Sequence, residues 1–274
     1  MFDTSGKFLF SCGKVGYSKS EHTDLWDFAV NEDENTLEIL DEKGVASYDL
    51  KSGKFIKRDR RVNKSSSEYT KFMPMPNGSR LLFAADNEYS ISCMLPDGNI
   101  SGLRKRNGFQ MTYGRFFKSD EATLVLPDYG CFTVDAYSDG KLVPKYILDF
   151  GTEALPQNMI ADSYEAFSKT DNLEKYFKAT TNVMENKKWL FASVVGPKHT
   201  YYTVLYNKNS GRVYAGPNDS KFAVAFVDMD DSGIYGLAYP GMMPEGSPLV
   251  PVVEARVGKN FEPPVLLKMN VFEK

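Results

Sequence analysis

The apolar residues recur as short runs about 45 residues apart, and each run follows a polar turn. Five such runs occupy positions 37–40, 81–84, 123–126, 189–192 and 234–238. Successive runs start 44, 42, 66 and 45 residues apart. Short apolar runs between turn residues are typical of buried strands, and a 3.6-residue helical period is missing from nearly all of the sequence. We therefore predict equivalent second strands of a repeated unit, opening at Leu37, Leu81, Thr123, Trp189 and Ile234.

A second repeated feature is a turn in which Asp or Asn is followed within four residues by Gly. The glycines of these turns are residues 6, 53, 98, 140 and 211, at steps of 47, 45, 42 and 71. Gly adopts the positive φ that tight hairpins need, and Asp or Asn tolerates the strained neighbouring position. Four strands in a repeat of about 45 residues is the period of a β-propeller blade.

The repeat predicts an all-β fold, a β-propeller of four-stranded antiparallel blades in a single domain over 1–274. Five blades and a remnant of a sixth are expected, the five at about 24–58, 69–106, 113–151, 181–218 and 221–274. Residues 1–12 are interpreted as the outer strand of an incomplete or ring-closing blade. Five whole blades fit if Lys7 to Phe10 completes the last blade, and a chain that has lost most of a first blade fits as well.

The one long step, of 71 residues, indicates a short helical insertion at 156–179 between the third and fourth blades. Its positions 161–179 carry a helical pattern, with Asp171 and Glu174 placed as a capping box. An insertion between blades is expected to act as a lid or as a plug, and the plug is the favoured interpretation.

Composition narrows the classes of function. Aromatic residues make up 14% of the chain, which favours strands, and the net charge of -3 gives no reason to expect a nucleic-acid partner. No apolar stretch approaches the ~20 residues of a membrane span, and no signal peptide is visible in the residues given. Cys12, Cys93 and Cys131 lie far apart and encode neither a zinc site nor a disulfide framework.

Candidate catalytic residues are few. His22 and His199 both fall in predicted loops, outside any metalloprotease or nucleophile motif. Asp24 and Asp27 flank Trp26 and could form an acid/base pair beside an aromatic sugar platform. A structural role for Asp27 at the start of an innermost strand is the stronger interpretation. No catalytic residue is assigned.

One motif matches a known cation-binding pattern. Asp228, Asp230 and Ser232 alternate before Gly233, as in loops whose side-chain oxygens converge on calcium. The ninth position is Gly236 instead of a carboxylate, which leaves the coordination shell short. An ordinary acidic turn is therefore favoured, and calcium is retained only as a weak candidate; no other cofactor is expected.

Charge alternates between the two kinds of loop. Turns between first and second strands are acidic, whereas the loops that leave the outer strands are basic, and the two sets should lie on opposite faces of an antiparallel meander. A basic face beside aromatic residues could hold an anionic glycan or a partner protein, although a solvated rim is the commoner outcome. The candidate ligand-binding residues are Trp26, Arg58, Arg61, Arg104, Arg106 and Tyr113.

The sequence also resembles a known family, the six-bladed β-propellers of Bacteroidetes with NHL-like or TolB-like folds. The resemblance rests on the segments 2–8, 26–28, 146–151 and 206–211, and it spans essentially the whole chain. It implies a lipoprotein of unknown function in the bacterial periplasm or at the cell surface, with about one further blade upstream.

Three hypotheses of function follow. The leading one is a non-catalytic binding or scaffolding propeller of the cell envelope, with an unknown protein or glycan as its partner. The second is a carbohydrate-active or lyase-like enzyme, which a pocket gathering His22, Asp24, Arg58 and Arg104 would favour. The third is a structural subunit of a larger assembly. Whether the protein is an enzyme stays open at this point, with a binding role preferred.

Overall fold

The computed structural model describes residues 1, 7–62, 69–111, 115–218, 224–258 and 263–271. It confirms the predicted all-β propeller and shows five antiparallel sheets in chain order, which are its blades. The sixth blade implied by the resemblance is therefore wrong for the described ranges. Residues 2–6 and Tyr113, which carried part of the sequence argument, lie outside those ranges.

The strands follow one another as simple meanders. Blade 1 contains β1 (Asp27–Asn31), β2 (Thr36–Asp41), β3 (Gly44–Asp49) and β4 (Phe55–Asp59). Blade 2 contains β5 (Lys71–Pro74), β6 (Arg80–Phe83), β7 (Tyr89–Met94) and β8 (Ile100–Lys105). Blade 3 contains β9 (Phe116–Lys118), β10 (Thr123–Val125), β11 (Thr133–Ser138) and β12 (Lys141–Ile147). Blade 4 contains β13 (Ala179–Glu185), β14 (Trp189–Val195), β15 (Tyr201–Asn207) and β16 (Val213–Pro217). Blade 5 contains, within the described ranges, β17 (Val224–Asp230), β18 (Gly233–Ala238) and β19 (Val265–Met269).

The five apolar runs of the sequence are the second strands β2, β6, β10, β14 and β18, as predicted. Each pairs with the strands before and after it in its sheet, so it is shielded on both edges. All seven residues of β14 are buried. The continuous apolar run in the sequence thus reflects a strand buried on both faces.

The β2–β3 hairpin shows why a glycine stands at its turn. Gly44 has φ +105°, and a Cβ there would come within 2.2 Å of the backbone oxygen of Asp59 in β4. Only glycine adopts this conformation with so little space.

The contacts divide the chain into two compact units. The first comprises Met1–Phe116, Ser138–Val143 and Asn158–Thr170; the second comprises Phe117–Tyr137, Pro144–Gln157 and Asp171–Lys274. A core of the first unit includes Leu40, Val45, Phe72, Leu82 and Met94, with Trp26 packed against it. A core of the second unit includes Leu124, Val183, Phe191, Met229 and Ile234.

The insertion between blades 3 and 4 is helical, but its cap differs from the predicted one. The helix α1 (Tyr164–Ser168) begins after Ser163, whose Oγ accepts a hydrogen bond from the Ala166 N–H at 3.2 Å. The predicted capping box at Asp171 is wrong, because Asn172 in a left-handed conformation precedes only a short 3-10 turn there. Three short polar residues compete as caps in this segment, and backbone geometry decides between them.

A second helix was not predicted. The helix α2 (Val250–Val257) lies between β18 and β19, within the range 221–274 that was predicted as a blade of strands. Pro251 and four valines hide the helical pattern in the sequence, because these residues have low helix propensity. No helix of the described residues is long and apolar enough to cross a membrane.

The segment from Lys7 to Phe10, predicted to complete a blade, approaches blade 1. A Cβ on Gly53, in the β3–β4 turn, would come within 2.6 Å of the Phe10 ring. The terminal amine of Met1 donates to the Phe10 carbonyl at 2.8 Å.

Candidate functional site

Arg58 was predicted as a surface ligand contact, but it lies inside the first unit. Its side chain is 2% exposed, and Nη1 pairs with Asp41 Oδ1 at 2.5 Å. Nη2 donates to the Glu21 carbonyl at 2.8 Å, and Nε donates to the Lys19 carbonyl at 3.1 Å. The Asp41 side chain is fully buried. The guanidinium therefore fastens the segment before β1 to the β2–β3 turn and is not available to a ligand.

Arg61 and Arg104 were expected to converge, and the structure separates them. Arg61 chelates the carboxylate of Asp59 at 2.7 and 2.9 Å and donates to the Pro96 carbonyl at 2.8 Å, beside the β7–β8 turn. Arg104 lies near the far end of β8, six residues beyond Gly98 of that turn, or about 20 Å along an extended strand. The backbone N–H of Arg106 bonds to Glu88, also away from that turn. The predicted basic cluster is therefore not assembled.

Trp26 and Asp27 make structural contacts, whereas Asp24 is a surface residue. Trp26 packs on the core of blades 1 and 2, and its carbonyl accepts a hydrogen bond from Lys71 at 3.1 Å. Asp27 accepts the Phe72 N–H at 3.0 Å, which ties β1 to β5. Burial raises the pKa of Asp27, and Lys71 counters part of that rise. Asp24 is exposed. Asp27 thus has a structural contact, as favoured, but the contact joins β1 to the neighbouring blade, which was not predicted.

The two histidines do not form a reactive group with these residues. The backbone of His22 bridges to Val15, and its Nδ1 is buried without a hydrogen-bond partner among the described residues. His199 lies in the second unit, in a turn where its φ is +57°. Arg58, which also belongs to the hypothetical enzyme pocket, forms an ion pair with Asp41.

The acidic turns of the second unit are neutralised by lysines of neighbouring turns. Glu185, at the end of β13, has a fully buried side chain that accepts from Lys145 at 2.6 Å and Lys208 at 2.8 Å. The Tyr146 hydroxyl donates to the same carboxylate at 2.7 Å. Glu121 of the β9–β10 turn also pairs with Lys208, at 2.8 Å. The predicted contrast between an acidic and a basic face is therefore reduced by internal pairing in this unit.

These contacts shift the titration of both members of the network. Burial opposes ionisation of Glu185, but the hydrogen bonds from Lys145, Lys208 and Tyr146 outweigh it and lower the pKa of Glu185. Burial and the negative charge of Glu185 both raise the pKa of Tyr146. Glu185 therefore holds its charge at neutral pH and joins blades 3 and 4.

The hairpin that resembled a calcium loop is an acidic turn stabilised by its own donors. Asp230 accepts from the Ser232 N–H at 2.7 Å, the Gly233 N–H at 3.0 Å and the Tyr235 hydroxyl at 2.9 Å. Asp228 accepts the N–H of the next residue at 2.8 Å. Within the described ranges, no group of three or more His, Cys, Asp or Glu side chains is arranged to hold a metal ion.

Beside this hairpin, the second unit contains an open cleft of about 360 Å³. One wall is the β13–β14 turn with Lys187 and Lys188, and the other is the β17–β18 turn with Asp231. The floor is apolar, formed by buried residues including Trp189. A polar rim over an apolar floor is the usual composition of a small-molecule site.

The charges of the cleft are unevenly paired. Lys187 Nζ lies 2.7 Å from Asp231 and 3.8 Å from Asp120, and these carboxylates raise the pKa of Lys187. Lys187 in turn lowers the pKa of Asp231. Lys188 is exposed, and its ammonium lies 5.3 Å from the Trp189 ring centre. In the part of the chain that the structure describes, no carboxylate is within ion-pair distance of Lys188.

One further side chain completes the rim. Asn270, directly after β19, is exposed and lines the cleft. The cleft thus offers an ammonium and a carboxamide above an apolar floor, which together suit a polar ligand with one negative charge.

The sequence analysis missed Lys187, Lys188 and Asn270 as site residues. It recognised 185–187 only as a polar turn before Trp189, because neighbouring turns are equally polar. The sequence analysis singled out the adjacent 228–233 hairpin for a different reason: its oxygen-bearing side chains are spaced as in a cation-binding loop. The cleft forms because two turns that are 44 residues apart in the sequence lie side by side in the structure. The sequence analysis did not deduce this proximity from the repeat.

Comparison with known proteins supports the fold. The chain is similar to the crystal structure of a protein from Bacteroides fragilis NCTC 9343 assigned as exported, with a TM-score of 0.71 and 16% identity over 95% of this chain and 77% of that one. It is distantly similar to the extracellular domain of the one-component system BT4673 from B. thetaiotaomicron, with a TM-score of 0.43 and 12% identity over 81% of this chain and 27% of that one.

At the sequence level, no curated protein matches the chain. The profile of a domain of unknown function, DUF4934, matches residues 1–240, which is most of the 274 residues. The chain therefore belongs to the DUF4934 family.

Proposed function

We propose that this protein is a non-catalytic binding propeller of the bacterial envelope, with an anionic or saccharide-containing partner. The observation that carries the proposal is the open cleft of blades 4 and 5, where Lys188 and Asn270 present polar groups above the apolar floor. Such a surface recognises a ligand through charge and hydrogen bonds without needing a reactive group.

The use of the other charged residues supports binding at this place. Arg58 and Arg61 are occupied by Asp41 and Asp59, and Lys145 is occupied by Glu185. Each of these side chains already has a carboxylate partner, so a ligand would have to displace existing ion pairs to reach them. Lys188 needs no such displacement.

The envelope location is inferred from the similar propeller of B. fragilis, which is assigned as exported, and from the resemblance in the sequence to Bacteroidetes lipoproteins. A fractionation experiment in the source cell, with antibody detection in the cytosolic, periplasmic and membrane fractions, tests it. Recovery in the cytosolic fraction alone would contradict the location.

The binding role is tested with a panel of soluble polysaccharides that differ in charge: polygalacturonate, a sulfated galactan and neutral dextran. We expect saturable binding of an anionic member by calorimetry, with no shortening of the polysaccharide on size-exclusion chromatography. Shortened chains would show a lyase or hydrolase instead. Failure of every anionic member to bind would remove the anionic-glycan partner.

The same titration with calcium and with EDTA addresses the 228–233 hairpin. Because the Asp230 carboxylate is already occupied by turn donors, we expect equal affinity in both buffers. Binding that needs calcium would revive the cation site.

A further inference from the structure

The cleft of blades 4 and 5 can be assigned a more specific ligand. We propose that it holds one singly charged sugar acid, a uronate residue, with its carboxylate on Lys188 and its ring hydroxyls within reach of Asn270 and Asp231. This inference rests on the proposed binding function and adds the site and the class of sugar.

The charge of the cleft selects a single negative charge. Of the charged residues that line the cleft, Lys187 pairs with Asp231 and Lys188 has no ion-pair partner among the described residues, which leaves one ammonium in surplus within the lining. Asp120, which is outside the lining, lies 3.8 Å from Lys187. A ligand with one carboxylate neutralises that surplus. A ligand with two or more negative charges at the same point would face the two carboxylates as well, and like charges at close range oppose binding.

The hydrogen-bonding groups select a hydroxylated ligand. Asn270 offers both a donor and an acceptor, and Asp231 offers acceptor oxygens, one of which accepts the Lys187 N–H at 3.2 Å. A sugar ring carries hydroxyls that both donate and accept, so it can satisfy both kinds of group. A simple carboxylic acid would leave them unused.

The shape of the cleft limits the length of chain that it covers. Its volume of about 360 Å³ is near the lower end for small-molecule sites, about 300 to 1,000 Å³. The apolar floor, which includes Trp189 and Ile234, can contact the apolar face of a ring. Since the cleft is open, a glycan chain can continue into solvent on either side of the bound residue.

The test compares three trisaccharides in calorimetry: a galacturonate trimer, a neutral galactose trimer and a sulfated galactose trimer. With wild-type protein we expect the galacturonate trimer to bind most tightly. The variant Lys188→Met should weaken that binding by about tenfold or more, because it removes a charge-assisted hydrogen bond. Asn270→Ala should weaken it several-fold. Lys188→Met should not change binding of the neutral trimer, which lacks the carboxylate, whereas Asn270→Ala should weaken both trimers alike, because both carry ring hydroxyls.

Two further variants separate the site from general effects. Lys51→Met removes an exposed lysine from the β3–β4 turn of the first unit, and its affinity should equal that of the wild type. Asp231→Asn removes the nearer carboxylate from Lys187 and leaves it only Asp120 at 3.8 Å, so the cleft becomes more positive and should bind the galacturonate trimer more tightly. Misfolding does not produce a gain of affinity. A gain in this variant therefore shows that the loss of binding in Lys188→Met is not explained by misfolding of substituted proteins.

Each outcome bears on a different statement. Loss in Lys188→Met together with gain in Asp231→Asn supports the inference. Equal binding of galacturonate by wild type and Lys188→Met overturns this site and leaves the proposed binding function standing. Tighter binding of the sulfated trimer overturns the uronate class. Binding of none of the three, nor of the parent polysaccharides, overturns both the inference and the anionic-glycan partner.

Discussion

The two compact units differ in the type and the burial of the basic residue in their buried ion pairs. In the first unit, Arg58 and Arg80 are 2% and 8% exposed along their side chains, and they pair with fully buried carboxylates of Asp41 and Glu38. In the second unit, the lysines at the turns remain partly or largely in water, including Lys187 at 67% exposure of its side chain. From the sequence alone, all of these charged residues would be expected at the surface, because charged side chains are mostly exposed.

The difference follows from the chemistry of the two side chains. An Arg guanidinium has five donors in a plane, so Arg80 serves Glu38 at 2.9 and 3.1 Å and Asp59 at 3.1 Å at once. A Lys ammonium is strongly hydrated and is easily kept near solvent. Arg58 and Arg80 of the first unit thus hold strands together, whereas Lys188 of the second unit has no ion-pair partner among the described residues.

The largest effect on stability is expected for Arg58→Met, which breaks a buried ion pair of the first unit. Removing the guanidinium leaves the buried carboxylate of Asp41 without its charged partner and frees the Lys19 and Glu21 carbonyls. We expect a loss of about 3 to 5 kcal/mol in the free energy of unfolding, the range for breaking a buried ion pair from one side. Urea denaturation followed by circular dichroism measures it.

The double variant Arg58→Met with Asp41→Asn is the control. It leaves no unpaired buried charge, so it should recover part of the lost stability. A single variant within about 1 kcal/mol of the wild type would mean that this pair behaves as a surface pair.

A smaller loss is expected from Glu185→Gln. The side chain is fully buried, but its partners Lys145 and Lys208 are 25% and 15% exposed and can turn towards water when the carboxylate is neutralised. We expect a loss of about 1.5 to 3 kcal/mol, as for hydrogen bonds to a charged group. A loss as large as that of Arg58→Met would show that the two networks are equally desolvated.

The same residue predicts a pH dependence. The pKa of Glu185 is lowered in the folded protein from its ordinary value of 4.5, so its stabilising contribution is complete above pH 4.5 and is lost as the pH falls through the folded pKa. The stability difference between wild type and Glu185→Gln should therefore narrow as the pH is lowered below 4.5. A difference that stays constant down to pH 2 would contradict the assignment.

The smallest effect is expected for Lys57→Met, which breaks a surface pair within the first unit. Lys57 and Glu34 lie 2.8 Å apart with side chains 51% and 40% exposed. Such pairs contribute less than about 1 kcal/mol, so unfolding in urea should change little. A loss comparable to that of Arg58→Met would show that exposure does not explain the contrast between the ion pairs.

The fold could be predicted to a large extent because it repeats. Buried second strands such as β14 need continuous apolar residues, and hairpins need Gly or Asn at fixed places, so both leave local signals. The helix α2 left none, because its proline and valines have low helix propensity and tertiary packing overrides that preference.

The sequence by itself determined the all-β repeat, the position of the second strands and the presence of a helical insertion, since each depends on residues close together in the chain. Only the tertiary structure decided which charges are used up and which are free. Arg58 and Lys188 are both basic residues in polar stretches, yet Arg58 meets Asp41 across blade 1 and Lys188 faces an open cleft. Pairing and burial depend on neighbours distant in the sequence, and electrostatic strength depends on the water that these neighbours exclude.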